Sequence, residues 1–408
     1  MNESGIPTKV AARKRMRVLT ILLTSGLAFL APSAISPGLP ALQADFAHLE
    51  NAELLSRLVL TMPMLFIALS GPFVGYAVDR FGRRDVLILC SFLYGVSGVS
   101  ALFLDSLTAI LISRAFLGVF LAGILTSATA LIGDYFEGDE RNRIAGLQGA
   151  FMSFGTLLFV VIAGMLAEIH WRMGFTLFVY AFLMIPLMYL SLYEPVAKNT
   201  AGKTAEPPLT LGQIGVIGWV CVLTFLGMIG FFMIPSQTQF FLVEIGVDDP
   251  TRAGIAIGMF NLTAGFASLA YSRIRARMSP EAIFALIFAF GGVGFVMTSQ
   301  ATTFTGTLIA MAAGGFSVGA FIPNANMAII SRASMAVRGR ALGALTTLFF
   351  LGQFASPFYS VPIATETSVG YAFYVTGYAF LAFSAGFAIY AAVARKRANG
   401  KSGASGAA

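Results

Sequence analysis

The side chains able to do chemistry in this sequence are mostly arginines and carboxylates set among apolar residues. The densest group is Gly75-Tyr-Ala-Val-Asp79-Arg80-Phe-Gly82-Arg83-Arg84, lying between an apolar run that ends near Val74 and another that starts near Val86. Ionised groups at a membrane face are tolerated where they reach water or one another. A short basic loop with glycines therefore marks a tight turn on one side of a membrane. Arg114 is placed differently, seven residues into an apolar stretch that begins near Leu107. A cation at such depth costs about 2.5–3.5 kcal/mol on insertion scales, so it needs water, a partner or a pocket. Either it braces helices through carbonyls, or it faces a cavity and holds an anionic group. Glu53 and Arg57, four residues apart, read as an ion pair on an outer helix rim.

No carboxylate stands clearly in the middle of an apolar stretch. Glu53, Asp105, Glu168 and Glu244 all fall near stretch ends. Glu244, and after it Glu53, are the candidates for carrying a coupled proton. His48 and His170 sit in polar connections, which gives a histidine relay little support. Cys90 and Cys221 lie inside apolar runs with no CxxC spacing, so neither a metal site nor a redox pair is expected. No GxxxxGK loop occurs, which argues against ATP hydrolysis, and no catalytic constellation or cofactor motif occurs either. The expectation is a protein that is not an enzyme and needs no cofactor.

The elements that must position these groups follow from composition. The chain has 408 residues, 57% hydrophobic and 11% charged, with mean hydropathy +0.81. Soluble domains carry about 25% charged residues, so this is the composition of a polytopic membrane protein. Apolar stretches recur at 18–40, 54–78, 86–104, 107–132, 144–167, 173–193, 212–242, 252–270, 282–300, 303–330, 341–363 and 369–393. Each is near the ~20 residues that a helix needs to cross the hydrocarbon core. The predicted fold is all-α: twelve transmembrane helices in two six-helix bundles. Stretch 303–330 is long enough to hide a kink.

Of the 26 lysines and arginines, all but Arg57, Arg114, Arg172 and Arg252 fall on one face, counted from an inside N-terminus. By the positive-inside rule both termini are cytoplasmic. This topology also accounts for the net charge of +7 without any nucleic-acid partner. The basic N-region followed by an apolar run is read as a retained first span, not a cleaved signal. The expected organisation is a cytoplasmic tail 1–17, a bundle 18–193, a cytoplasmic linker 194–211, a bundle 212–393 and a cytoplasmic tail 394–408. The halves also echo one another. Glu140-Arg141-Asn-Arg143-Ile-Ala-Gly146 resembles Val337-Arg338-Gly-Arg340-Ala-Leu-Gly343, and Pro37 pairs with Pro235 at nearly the same offset. Duplication with the substrate site between repeats is a general transporter design.

On these residues the chain resembles the major facilitator superfamily. Gly75-x3-Asp79-Arg80-x-Gly82-Arg83-Arg84 matches the family signature between the second and third helices at every key position. Arg114, Gly118, Gly123 and Asp134 are similar to its second motif. Ser36-Pro37-Gly-Leu-Pro40 resembles the drug:proton antiporter branch. The resemblance covers about 18–393 and has two departures. Gly155–Gly164 keeps glycines but lacks the expected proline. Tyr271–Arg277 keeps the positive charge of the signature and loses its aspartate. The resemblance implies a latch on the cytoplasmic side formed by Gly75, Asp79, Arg80, Gly82, Arg83, Arg84, Asp134, Arg141 and Arg340. In it Asp79 meets the start of the eleventh helix near Arg340, and Arg80 pairs with Asp134.

Polar and aromatic residues within spans are candidates for a substrate cavity: Ser25, Phe29, Arg114, Gln148, Phe231, Gln237, Asn261, Asn324 and Gln353. A mainly apolar cavity with a few amides suits amphipathic organic solutes. The glycine pairs Gly71–Gly75 and Gly315–Gly319 read as close-packing surfaces. The function that fits best is a monomeric secondary transporter of a bacterial cytoplasmic (inner) membrane. It would export small organic compounds by alternating access in exchange for protons. The alternative is an uptake or facilitated-diffusion carrier for a metabolite, sugar or organic anion. A second alternative is a non-transporting receptor or lipid flippase.

Overall fold

Eleven helices are long and apolar enough to cross a membrane in the computed structural model, which describes residues 8–195, 211–333 and 337–405. They are α1 (Ala12–Asp45), α2 (Ala52–Phe81), α4 (Leu107–Tyr135), α5 (Leu147–Ile169, continuing a helix from Gly138), α6 (Trp171–Ser191) and α7 (Ile217–Glu244). After them come α8 (Pro250–Arg275), α9 (Pro280–Ser299), α10 (Phe304–Ile330), α11 (Arg338–Glu366) and α12 (Val369–Val393). The twelfth, α3 (Arg83–Ser100), carries Arg83, Arg84 and Asp85 in its first turn, which shortens its apolar part. These are the twelve elements that the sequence predicts. Helix α10 is one element with Pro323 inside it. Large apolar side chains such as Phe73, Phe103, Ile169 and Leu190 are at least 75% exposed, as lipid-facing surfaces require.

Local chemistry sets the helix ends. Asp249, Ser279 and Thr303 each accept a hydrogen bond from a backbone N–H three residues on, and so start α8, α9 and α10. Pro250 and Pro280 follow at the first helical position, where no N–H is needed. Helix α1 is not continuous. It breaks at Gly26 and again in a 3-10 turn at Ser36–Gly38, ahead of Leu39–Asp45. Helix α7 breaks at Phe232, just before Pro235. The two breaks meet: the Ser36 hydroxyl donates to the Pro235 carbonyl. The repeat spacing had paired the neighbouring Pro37 with Pro235, and the structure brings the two segments into contact.

Two hydrophobic cores are present, one drawn mainly from α1–α6 and the other from α7–α12. They exchange a few residues, Phe232 packing with the first and Val160 with the second. Most of the expected linker, 196–210, lies outside the described residues.

Among the described residues the close backbone contacts between the halves lie toward one side. We call the side of the termini and the arginine-rich loops the basic face, and the other the opposite face. Near the opposite face α5 and α8 pack backbone to backbone through glycines. A Cβ on Gly164 would lie 2.6 Å from the Pro250 carbonyl, and one on Gly254 would lie 2.5 Å from the Val160 carbonyl. Further along, Gly265 leaves an ordinary 3.4 Å to Ser153, and Gly149 faces open space. Gly71, Gly75, Gly339 and Gly343, on the basic-face ends of α2 and α11, also face open space. So the expectation of close packing holds for Gly315 and Gly319, which abut Phe260, Thr263 and Ala264. It fails for Gly71 and Gly75, where a Cβ would meet no atom within 4 Å.

Gly254→Leu should therefore lower the thermal unfolding midpoint in detergent, overpacking costing about 1–3 kcal/mol. Gly343→Ala should leave that midpoint unchanged.

Candidate functional site

The opposite face is held shut around Arg57. It sits in the first turns of α2 and is 4% exposed. A guanidinium taken from water must find acceptors for its donors. Nη1 donates to Gln43 Oε1 of α1 at 2.7 Å and to the Glu53 backbone carbonyl at 2.9 Å. Nε and Nη2 both reach Gln237 Oε1 of α7 at 3.3 Å, and the group lies 3.8 Å from the centre of the Phe240 ring. Gln237 is fully buried and passes a hydrogen bond to Ser360 Oγ of α11 at 2.8 Å. Four helices, two from each half, are tied through one cation.

The Glu53 carboxylate makes a different contact from the expected one. Instead of pairing with Arg57 side chain to side chain, its Oε2 accepts from Thr365 Oγ1 of α11 at 2.7 Å. That is a second bond between the halves. Outside it lies a cleft of about 590 Å3 whose walls include Gln43, Glu53, Phe358 and Glu366. Glu244 is exposed at the end of α7 and receives the Val369 N–H at 2.8 Å, so it caps α12.

At the basic face the signature loop is built around Gly82, whose φ of +95° suits glycine. There the chain turns so that the N–H groups of Arg83 and Arg84 both donate to the Glu194 carboxylate at 2.8 Å. A Cβ on Gly82 would lie 2.9 Å from that carboxyl carbon. Arg84 reaches the Tyr189 carbonyl at 3.2 Å and lies 4.8 Å from its ring centre. Asp134 pairs with Arg83, not with Arg80. The reason is placement: Arg80 ends α2 on an exposed side and bonds Tyr76, whereas Arg83 begins α3 against α4. Arg141 is exposed beside Gly133. Asp79 and Arg340 are both exposed, and neither makes a hydrogen bond or ion pair among the described residues. With Gly75 also in open space, the expected Asp79–Arg340 contact is not made in this conformation.

The expected cavity residues separate into four groups. Phe29, Gln148 and Asn261 are half-buried on α1, α5 and α8. Ser25 and Gln353 are buried at seams: Gln148 donates to Ser25 Oγ at 2.7 Å, and Gln353 contacts Met228 Sδ of α7 at 4.0 Å. Arg114, Phe231 and Asn324 are not at a cavity surface. Arg114 is fully buried between carbonyls of Ser97 (2.7 Å) and Gly98 (3.1 Å) and the rings of Phe175 and Phe178, a brace inside the first half. Phe231 is the centre of a phenylalanine cluster with Phe288, Phe321 and Phe380. Asn324 joins Tyr271 to the Pro280 carbonyl. Gln237 stands apart, bridging Arg57 and Ser360 between the halves.

Sequence reasoning missed Gln43, Ser360, Thr365 and Glu194. The first three are ordinary polar residues near span ends, and nothing in their spacing ties them to Arg57. Glu194 looked like the start of a linker.

A family profile described as Major Facilitator Superfamily matches residues 21–357. The chain is 31% identical over 185 residues to Multidrug resistance protein 1 of Bacillus subtilis (strain 168), an alignment spanning 45% of this chain and 46% of that protein. It is 24% identical over 356 residues to the 3-(3-hydroxy-phenyl)propionate transporter of Escherichia coli (strain K12), covering 83% and 85%. The solved D-xylose-proton symporter superposes with a TM-score of 0.75 at 17% identity, over 91% of this chain and 96% of that one. Twelve helices in this arrangement, with a family match over most of their length, make the chain a member of the major facilitator superfamily, a multi-pass membrane transporter and not an enzyme.

Proposed function

We propose that this transporter exports small amphipathic organic compounds across a bacterial cytoplasmic membrane by alternating access, with its basic face turned to the cytoplasm. The observation that carries the reading is the asymmetry between faces. Arg57, Gln237, Ser360, Glu53 and Thr365 join the halves on one side, while Asp79, Gly75, Arg340 and Gly343 stand apart on the other. In the proposed orientation this is the cytoplasm-open state, the one that loads a substrate from inside. The bundles 18–193 and 212–393 then rock about their glycine contacts, and the linker 194–211 keeps them tethered.

Closing the basic face brings Asp79 to the N-terminus of α11, near Arg340. A carboxylate gains about 0.3–1 kcal/mol from a helix N-terminus, and up to ~2 where partly buried. Phe29, Gln148 and Asn261 supply a mainly apolar substrate surface with two amides. The likeness to a multidrug resistance protein supports export. For proton coupling we assign Glu53 over Glu244. Glu53 bridges the halves one turn from the buried Arg57, and protonation there removes negative charge from the seal. Uptake of an aromatic acid is the second reading. It is favoured by the buried cation between the halves and by the likeness to a 3-(3-hydroxy-phenyl)propionate transporter.

Proteoliposome counterflow of labelled amphipathic cations and of aromatic acids, with and without a pH gradient, separates these readings. Export by exchange predicts cation movement driven by an opposing proton gradient. Acid accumulation along with protons would overturn it.

Three variants test the parts. Asp79→Asn should cut transport at least about ten-fold with membrane expression intact, and full transport would remove the latch. Glu53→Gln should retain counterflow but lose its response to the pH gradient. Arg57→Gln should raise maleimide labelling, from the opposite face, of a cysteine placed by S360C in a background lacking Cys90 and Cys221. The expected increase is at least about ten-fold, the loss of hydrogen bonds to a charged group being about 1.5–3 kcal/mol.

A further inference from the structure

A second cavity, of about 360 Å3, opens on the basic face where the start of α1 passes the end of α4. Arg13, Lys14, Arg17, Tyr135 and Phe136 line it. It is remote from the gate and takes no part in the proposed transport cycle. Its three cations are not equally committed. Lys14 pairs with Glu140 at 2.7 Å. Arg13 and Arg17 have no carboxylate at ion-pair distance among the described residues, and Arg17 Nε is buried without a hydrogen-bond partner. The Arg17 guanidinium lies 4.6 Å from the centre of the Tyr193 ring, which leaves Nε without an acceptor.

Two neighbouring acids are engaged elsewhere. Asp134 pairs with Arg83, and Glu194 accepts from the backbone of Arg83 and Arg84. The cavity has an apolar wall in Phe136, which is 3% exposed. Met16 and Leu19, on the same turns of α1, are 40% and 46% exposed toward the surroundings of the bundle. Arg13 and Arg17 are one helical turn apart on one face of that helix.

Two guanidinium groups around an apolar-walled notch, beside lipid-facing side chains, fit a phosphodiester that carries acyl chains. We propose that this notch binds the headgroup of an anionic membrane phospholipid, with its phosphate between Arg13 and Arg17 and its chains along Met16 and Leu19. Basic pockets between membrane helices attract such headgroups, each nearby arginine adding roughly five-fold in affinity. The bound lipid would tie the basic-face ends of α1, α4 and α6 together.

The test is thermal unfolding of the full chain in detergent, titrated with phosphatidylglycerol, phosphatidylcholine or inorganic phosphate. Phosphatidylglycerol should raise the midpoint by several degrees, and the other two should not. R13Q/R17Q should abolish the rise, whereas R273Q/R277Q, which removes two arginines elsewhere on the same face, should keep it. If R13Q/R17Q does not fold, R13Q alone should shift the lipid titration about five-fold to weaker binding. The proposal is overturned by a rise that survives R13Q/R17Q or is lost equally in R273Q/R277Q. It is also overturned if inorganic phosphate reproduces the rise, which would mean a free-anion site, or if phosphatidylglycerol has no effect.

Discussion

A guanidinium buried at the junction of two helix bundles governs this conformation. Removing Arg57 from water is costly unless acceptors replace the lost hydration. They come from both halves: Gln43 and the Glu53 carbonyl on one side, Gln237 on the other. Separating the halves at that face would strip Arg57 of the Gln237 bonds and of Phe240. The glycines of α5 and α8 let the backbones approach closely enough for these short polar bridges to form. The seal therefore depends on packing as much as on charge.

The two faces differ in strength as well as in geometry. Hydrogen bonds to a buried charged group contribute about 1.5–3 kcal/mol. A carboxylate at an exposed helix N-terminus contributes about 0.3–1 kcal/mol. On these magnitudes the Arg57 network outweighs a bare Asp79 latch, which accords with a structure shut at the opposite face. For the cycle to run, substrate or protons must supply the difference in the other direction, since a ligand shifts an equilibrium only by its differential affinity.

Much of the fold was legible in the sequence because its determinants are local. Hydrophobic length gave the twelve helices, and the arginine distribution gave a common face for the termini and basic loops. Pro37 and Pro235 were legible as a repeated pair, but the helix breaks beside them in α1 and α7 were not. The site was less legible, for a physical reason. The resemblance pairs Asp134 with Arg80, whereas the structure pairs it with Arg83, which follows the turn at Gly82 and begins α3. Arg114 read equally as a carbonyl-bonded brace or as a cavity residue, because depth in a helix says nothing about which side the side chain faces, and the structure shows the brace. Its partners, Ser97 and Gly98, are carbonyls, which leave no trace in residue type. Gln237 and Ser360 were indistinguishable from other polar residues in spans, their role arising from a contact across more than a hundred residues.

If the two faces move reciprocally, electron-spin distance measurements on the protein in lipid nanodiscs show it directly. One label pair spans the basic face at Phe81 and Arg277, and another spans the opposite face at Glu50 and Thr367, all exposed positions. The resting protein should show a long basic-face distance and a short opposite-face one, and substrate or acid should exchange the two together. Distances that change independently, or a basic face that stays open under every condition, would contradict alternating access governed by Arg57.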